Sequence, residues 1–408
     1  MTYSYNFEVR EQTLLTPQWV ANQKSFLDWD TQPASFKHYP HFCYRVRLSD
    51  HPSLQWLLHT RFINDERVVA HKPYRRLNVP SAGNLHPIEI YVQLRNIPGI
   101  LSGIYHVDVL SMELVMIAEI AGEGLEPYLG METRFSGAIV MLSLVPFRSS
   151  WKYGLRSWRY LYLDLGHQIA ALSTSVRHFG LELTKMSPKE DLNRFMGMGE
   201  EEFIAAVYGI GESTARPVKP LHKPMMRVQP TDYSESLPLL ISTLQTIPPY
   251  ISLPTTHGYE KYESFNLSRR SAREFDPNQM SDDTIMELMC LNIPDSLEII
   301  PVVLQAHTMQ CGVYLNGKCA VNGNFISEIL HLLLEQRFIA GANMVVLIYA
   351  ENFCASSHIE AGIYAQELYM ACEYHEVGCS GIGAFYDEEA SLWSDNALLY
   401  AVAIGGKV

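Results

Sequence analysis

Two observations predict an α+β fold built from two comparable domains. A proline-rich break lies near the middle of the chain, and the same succession of strand, long helix and glycine-ended strand stands on either side of it. Between Arg216 and Tyr259 the segments RPVKPLHKPMMRVQP and TIPPYISLPTTHGY disfavour continuous helix or sheet, because proline lacks the amide donor and fixes φ. The expected division is residues 1–217, an extended connector over 218–258, and residues 259–408.

In the first part the buried-type strand GAIVMLSLVP begins at Gly137, an amphipathic helix runs from Tyr160 to Phe179, and the short strand AAVYGIG begins at Ala205. In the second, GANMVVLIYA begins at Gly341, the helix runs from Ile359 to Glu376, and YAVAIGG begins at Tyr400. A tandem duplication accounts for this order simply. It is degenerate, since Gly166 to Gly180 spans 14 positions and Gly362 to Gly378 spans 16.

With 408 residues, 47% hydrophobic and 18% charged, the chain can bury sizeable cores. The net charge of -13 argues against a broad grip on nucleic acid or anionic membranes, yet it leaves room for a local basic pocket. The amino terminus has no basic segment followed by an apolar run, and the longest apolar stretch, Phe338 to Ala350, is too short to span a bilayer. A cytoplasmic protein is expected. Seven cysteines without a CxxC pair point to reduced, buried thiols, and His38, His41, His51 and His59 lack metal-ligand spacing, so no metal is expected. No GxGxxG follows a strand, and the GES at Gly211 is not a GxSxG elbow.

Four segments concentrate chemistry. PSAGNLHPIEIYV, Pro80 to Val92, reads as a small-residue turn leading into an alternating strand. Small side chains let backbone amides approach a flat ligand, and Asn84 both donates and accepts, as the edge of a flavin's pyrimidine ring requires. An ordinary loop before a strand explains the same residues. SRRSAREFDP sets Arg269, Arg270, Ser271 and Arg273 at the start of a helix whose apolar face continues through Ile285, Leu288 and Met289. Guanidinium groups, a hydroxyl and free amides there make a phosphate site, with a solvated basic turn as the alternative. GCSGIGAFYDEE, from Gly378, is a glycine-rich turn after a long helix, or equally a helix C-cap.

The fourth segment, SSWKYGLRSWRYLYLDLGH, begins at Ser149 and gathers Lys152, Tyr153, Arg156, Arg159, Tyr160, Asp164 and His167 before and inside a helix. Lys152 and Tyr153 form an acid/base pair if a desolvated site lowers their pKa values. Otherwise the aromatics pack into the core while Arg159 and Asp164 make structural ion pairs.

Together, PSAGNLHPIE, LSGIYHVD, WKYGLRSWRY…DLGH, RRSAREF and GIGAFYDEE…YAVAIGG resemble the SagB/ThcOx branch of the nitroreductase superfamily in its tandem-domain form, from about Leu27 onward. The resemblance implies two nitroreductase-like α/β/α domains fused as an intramolecular pseudodimer, with FMN in the crevice between them. It assigns the FMN phosphate to Arg269, Ser271 and Arg273, with Arg270 adjacent, and the isoalloxazine wall to Pro80, Ser81, Ala82, Gly83 and Asn84. Gly381, Ile382, Gly383 and Ala384 would approach the flavin near N5, with Arg337 and Lys407 as further candidates for the ribityl phosphate region. Lys152 and Tyr153 match the Lys-Tyr pair linked to catalysis in azoline-oxidising members.

The phosphate and GIGAF motifs occur only in the second half, while PSAGN and WKYG occur only in the first. One composite site and one FMN per chain are therefore expected. The mirror positions hold YRVRLSD and EIIPVVLQ instead.

The expected activity is an FMN-dependent oxidoreductase moving a hydride between flavin N5 and an organic substrate, with Lys152 or Tyr153 handling the proton. The substrate is a small molecule or a peptide, an azoline-containing peptide being one reading. Two alternatives stay open: a nitro or quinone reductase with NAD(P)H as electron donor, and a degenerate flavin-fold scaffold of a peptide-modifying complex. No nucleic acid and no membrane is expected as partner, and further oligomerisation of the pseudodimer is left open.

Overall fold

The structure, a computed structural model, describes residues 8–23, 27–69, 71–189, 191–225, 228–244 and 266–408. Before the proline-rich break lie β1 (Arg45–Arg47), β2 (Ile63–Val69), β3 (Lys72–Leu77), β4 (Ile88–Arg95), β5 (Gly103–Asp108), β6 (Glu113–Glu119), β7 (Glu123–Gly124), β8 (Thr133–Leu144), β9 (Thr184–Met186) and β10 (Phe203–Pro217). β11 (Lys219–Pro220) falls inside it, and after it come β12 (Glu298–Val303), β13 (Gly312–Leu315), β14 (Lys318–Asn322), β15 (Met344–Ala350), β16 (Val377–Ile382) and β17 (Ala397–Gly406).

They assemble into a seven-stranded sheet of order β1-β6-β5-β4-β8-β10-β9 and a six-stranded sheet of order β14-β13-β12-β15-β17-β16. The pairings in both are antiparallel; a parallel pairing joins β7 and β11. The hairpin β2–β3 stands apart from both sheets.

Both faces of the central strands of each sheet are covered. On β4, Ile88, Ile90 and Val92 face the helix Ser157–His178, while Tyr91 on the opposite face joins Leu125, Tyr128 and Met141. β4 is therefore buried along its whole length, where an alternating strand was expected, because a second apolar layer covers its outer face. β15 behaves alike, with Met344, Val346 and Ile348 on one side and Val345 and Leu347 on the other.

The helices Ser157–His178 and Ala355–Tyr374 are buried around nearly their whole circumference over Ser157–Val176 and Ser357–Cys372, rather than amphipathic. Each packs its own sheet on one side and the other helix on the opposite side. They cross where glycine meets glycine. A Cβ on Gly166 would lie 2.1 Å from Ile359 O, and one on Gly362 would lie 2.2 Å from Leu163 O, so neither position has room for a methyl group. Removing these side chains lets the backbones touch, and each buried Leu or Ile around the crossing contributes about 1.5–3 kcal/mol.

The connector departs from an extended chain. Pro238–Leu244 is helical, with proline at the first helical position where its missing amide costs nothing, and Leu240 and Leu244 are buried in the first core. Residues 245–258 of the expected connector lie outside the described residues. The thiols depart too: Cys372 and Cys379 are buried, four others are half-buried and Cys290 is exposed. Among the described residues no helix is long and apolar enough to cross a membrane.

Candidate active site

The small-residue turn is folded by one carboxylate. Asp164, buried on the first central helix, accepts the Ser81 hydroxyl at 2.6 Å and the Ala82 N–H at 3.1 Å. Ser81 Oγ in turn accepts the His86 N–H at 2.9 Å. The turn so held is short 3-10 helix over Ala82–Asn84, with Gly83 and Asn84 both at positive φ. Asn84 donates one amide hydrogen to Arg75 O at 2.8 Å, and its Oδ1 lies 3.1 Å from His86 Nε2. Burial, then the Arg61 charge, brings the His86 pKa down to about 3, so the imidazole is neutral.

Burial pushes the Asp164 carboxyl up to about 7, against the hydrogen bonds from Ser81 and Ala82 and the Arg61 charge. The structural ion pair between Arg159 and Asp164 does not form. Arg159 binds Asp387 at 2.6 Å, alongside Arg156 at 2.9 Å, and these contacts tie the first central helix to the second half.

The Arg269 segment is not the start of a helix. Residues 269–275 run as irregular chain, and the helix Asp282–Met289 begins only after Ser281, whose side chain caps it. The arginines are held by tertiary contacts instead. Arg269 is buried: its Nε donates to Asn78 O, Nη2 to Leu77 O at 2.8 Å and Nη1 to Ser271 Oγ at 3.3 Å, while its guanidinium lies 5.0 Å from the Tyr369 ring. Arg270 donates to Asn64 O at 2.7 Å, and Arg273 to Ser380 Oγ at 2.6 Å. Ser271 Oγ is 2.9 Å from Tyr369 Oη, which accepts the Gly381 N–H at 2.7 Å.

Lys152 and Tyr153 end the helix Pro146–Tyr153, and both side chains reach the turn at Gly83. A Cβ built there would lie 2.5 Å from Tyr153 Oη and 3.2 Å from Lys152 Nζ. Lys152 Nζ sits 5.2 Å from the Trp29 ring and 5.3 Å from the Tyr153 ring. Burial lowers the Lys152 pKa and raises that of Tyr153, the latter also through Tyr160 and Asp164, with Arg273 opposing. The pair is thus split: the amine is eased toward its neutral form, and the phenol is held protonated.

These pieces face one cavity of about 850 Å³, within the usual range for small-molecule sites. It brings together Pro80, Ser81, Gly83 and Asn84, Lys152, and Arg269, Arg270, Ser271 and Arg273. Lys72, Arg75 and Arg76 of β3 add three cations, making seven among the described residues with Lys152 and the three arginines of the second half, and no described Asp or Glu lines the wall. Behind the wall, Lys72 pairs with Asp30, Arg75 with Glu66 and Arg270 with Asp65, whereas Lys152, Arg269 and Arg273 have no ion pair among the described residues.

A structure from Anabaena variabilis, solved at 1.80 Å for a candidate nitroreductase, matches 99% of this chain and 99% of its own with TM-score 0.80 and 20% identity. The fold is nitroreductase-like. A candidate nitroreductase of Methanocaldococcus jannaschii is 29% identical over 92 residues, 22% of this chain; the chain spans about half the length of this curated relative, 46%. A chain of the E. coli microcin synthetase McbBCD complex matches 51% of this chain and 86% of its own, at TM-score 0.33 and 16% identity. A search of family models found none that matches.

Not every expected residue reaches the cavity of this nitroreductase-like fold. Ala82 and Tyr153 pack against the second core just behind the wall. Gly381, Ile382, Gly383 and Ala384 do not line it: Gly381 and Ile382 end β16, and Gly383 packs against Tyr160. Gly381 and Ile382 of the expected glycine-rich turn are paired with β17 instead. Arg337 is exposed and off the lining, and Lys407 pairs with Glu373 at 3.1 Å. Missed from the sequence were the β3 cations and the strap Trp29 to Phe36; the run HKPYRRL in an acidic chain was the signal available for the former.

Proposed function

We propose that the chain is an FMN-dependent oxidoreductase with one composite site between two halves that form a fused pseudodimer, divided as residues 1–217 and 259–408. The observation that carries the reading is the charge of the cavity: among the described residues, seven Lys and Arg and no acid line it, within a chain of net charge -13. A phosphate monoester carries nearly two negative charges at neutral pH, and such a wall suits it.

The residues present fit this cofactor. Arg273, Ser271 and the Nη1 group of Arg269 would hold the phosphate, since these donors have no carboxylate partner among the described residues. Pro80, Ser81, Gly83 and Asn84 would border the ring, with the second amide hydrogen of Asn84 available to it. When bound, FMN supplies the hydride chemistry. Lys152 takes the substrate proton at Nζ, its neutral form favoured by burial, and Tyr153, just behind the wall, keeps its proton. Trp29, Phe36 and Val69 add apolar surface to the lining.

The test is to denature the purified protein and identify and count the released flavin. About one FMN per chain supports the reading; none, even after FMN is added back, overturns it and favours the scaffold. Bleaching of bound flavin by NAD(P)H selects the nitro or quinone reductase, and bleaching by an azoline-containing peptide selects the dehydrogenase.

A further inference from the structure

Two carboxylates occupy matching places on the crossing helices. Asp164 stands two residues before Gly166, and Glu360 two residues before Gly362. Each accepts a serine hydroxyl from the loop that enters its own half's sheet, Ser81 ahead of β4 and Ser296 ahead of β12. The clasp is repeated, but the loops differ. Ser81 precedes Ile88, the start of β4, by seven positions; Ser296 precedes Glu298, the start of β12, by two, so the first loop is five residues longer. Those extra residues include Gly83 and Asn84, which line the cavity, whereas neither Ser296 nor Glu360 does.

We propose that Asp164 is a positioning residue for the flavin site: its ionised carboxylate, by holding Ser81 and Ala82, fixes Gly83 and Asn84 at the cavity wall. The proposal rests on the FMN reading above. Two donors converge on this carboxylate, and Ser81 Oγ relays the hold to the His86 amide, so one side chain secures both ends of residues 81–86. Such charge-assisted bonds are the strong kind.

The groups facing Asp164 come from four elements. Arg61, just past the helix Gln55–Thr60, favours its charge, as do the Ser81 and Ala82 donors; the Asp164 charge raises the pKa of Tyr153 and of Tyr400 on β17. Burial opposes ionisation and leaves the carboxyl at about 7. As pH falls through that value the carboxyl gains a proton, and one oxygen turns from acceptor to donor. The bonds from Ser81 and Ala82 then lose the charge that strengthens them, and the turn loosens.

The experiment compares wild type, Asp164→Asn and Ser81→Ala in two measurements. Amide hydrogen exchange of residues 81–86 is followed without FMN, and FMN affinity is measured by fluorescence at pH 6 and pH 8. Both variants should exchange these amides roughly tenfold faster and bind FMN about tenfold more weakly at pH 8. Wild type should lose affinity toward pH 6 more steeply than Asp164→Asn; the ionisation of the FMN phosphate itself affects both alike and cancels in the comparison. Unchanged exchange in the variants overturns the clasp, and Ser81→Ala decides alone if Asp164→Asn does not fold. Wild type that takes up no FMN while the exchange effect persists overturns the flavin reading, and the positioning role with it, leaving only a structural clasp.

Discussion

Replacing Gly83 by alanine probes the site with a single methyl group. Gly83 has φ +63°, and a left-handed backbone costs an alanine about 1–2 kcal/mol. The added Cβ would sit 2.5 Å from Tyr153 Oη. Ordinary contact begins near about 3.5 Å, so the hydroxyl must retreat by about 1 Å. A displacement of about 1 Å at a reacting group lowers turnover on the order of 100-fold. The expected result is therefore a kcat/KM about 100-fold lower in a flavin-bleaching assay, with FMN retained because the atoms nearest the added methyl belong to Tyr153 and Lys152 and not to Arg269, Ser271 or Arg273. Gly180→Ala is the control. Gly180 has φ +68° with nothing within 4 Å, so it carries the backbone cost without a clash. Urea unfolding should show both variants destabilised by about 1–2 kcal/mol, with turnover lost only in Gly83→Ala. Equal turnover in the two would refute the placement of the chemistry beside Tyr153 and Lys152.

Other substitutions separate the roles of individual residues. Arg269→Met should leave the Leu77 and Asn78 carbonyls unpartnered and lower stability by about 1–3 kcal/mol for each, read from the urea midpoint. Arg273→Met, at an exposed position, should cost little stability yet weaken FMN binding about tenfold in a fluorescence titration. With Lys152 as proton acceptor, kcat/KM should rise with pH along a limb below the ordinary lysine value of about 10.4, since burial disfavours the ammonium; Lys152→Met should remove that limb. Gly166→Ala should force the central helices apart at a cost of about 1–3 kcal/mol or more, lowering both the urea midpoint and FMN uptake.

The strands GAIVMLSLVP and YAVAIGG and the two long helices were legible because uninterrupted apolar runs of those lengths have few other places to go. Their all-round burial was not, since periodicity reports one apolar face and says nothing of a second helix covering the other. RRSAREF read as a helix start from its composition, yet the chain there follows contacts with Asn64, Leu77 and Asn78 about 190–206 positions away, which no local pattern carries. Asp164 read as one half of an ion pair. The structure gives it a serine and an amide instead, because the nearest arginine on its helix turns to Asp387.

The glycine crossing has a consequence for how the molecule varies. In an assembly of two identical subunits, any change to one copy of a crossing helix or its serine loop is made in both, and its energetic effect is counted twice. Here both helices belong to one polypeptide, and the loop after Ser296 is five residues shorter than the loop after Ser81. Association of the halves is also unimolecular, set by the tether and not by protein concentration. Dilution should leave the stability of the crossing unchanged, and each side of it is free to drift on its own.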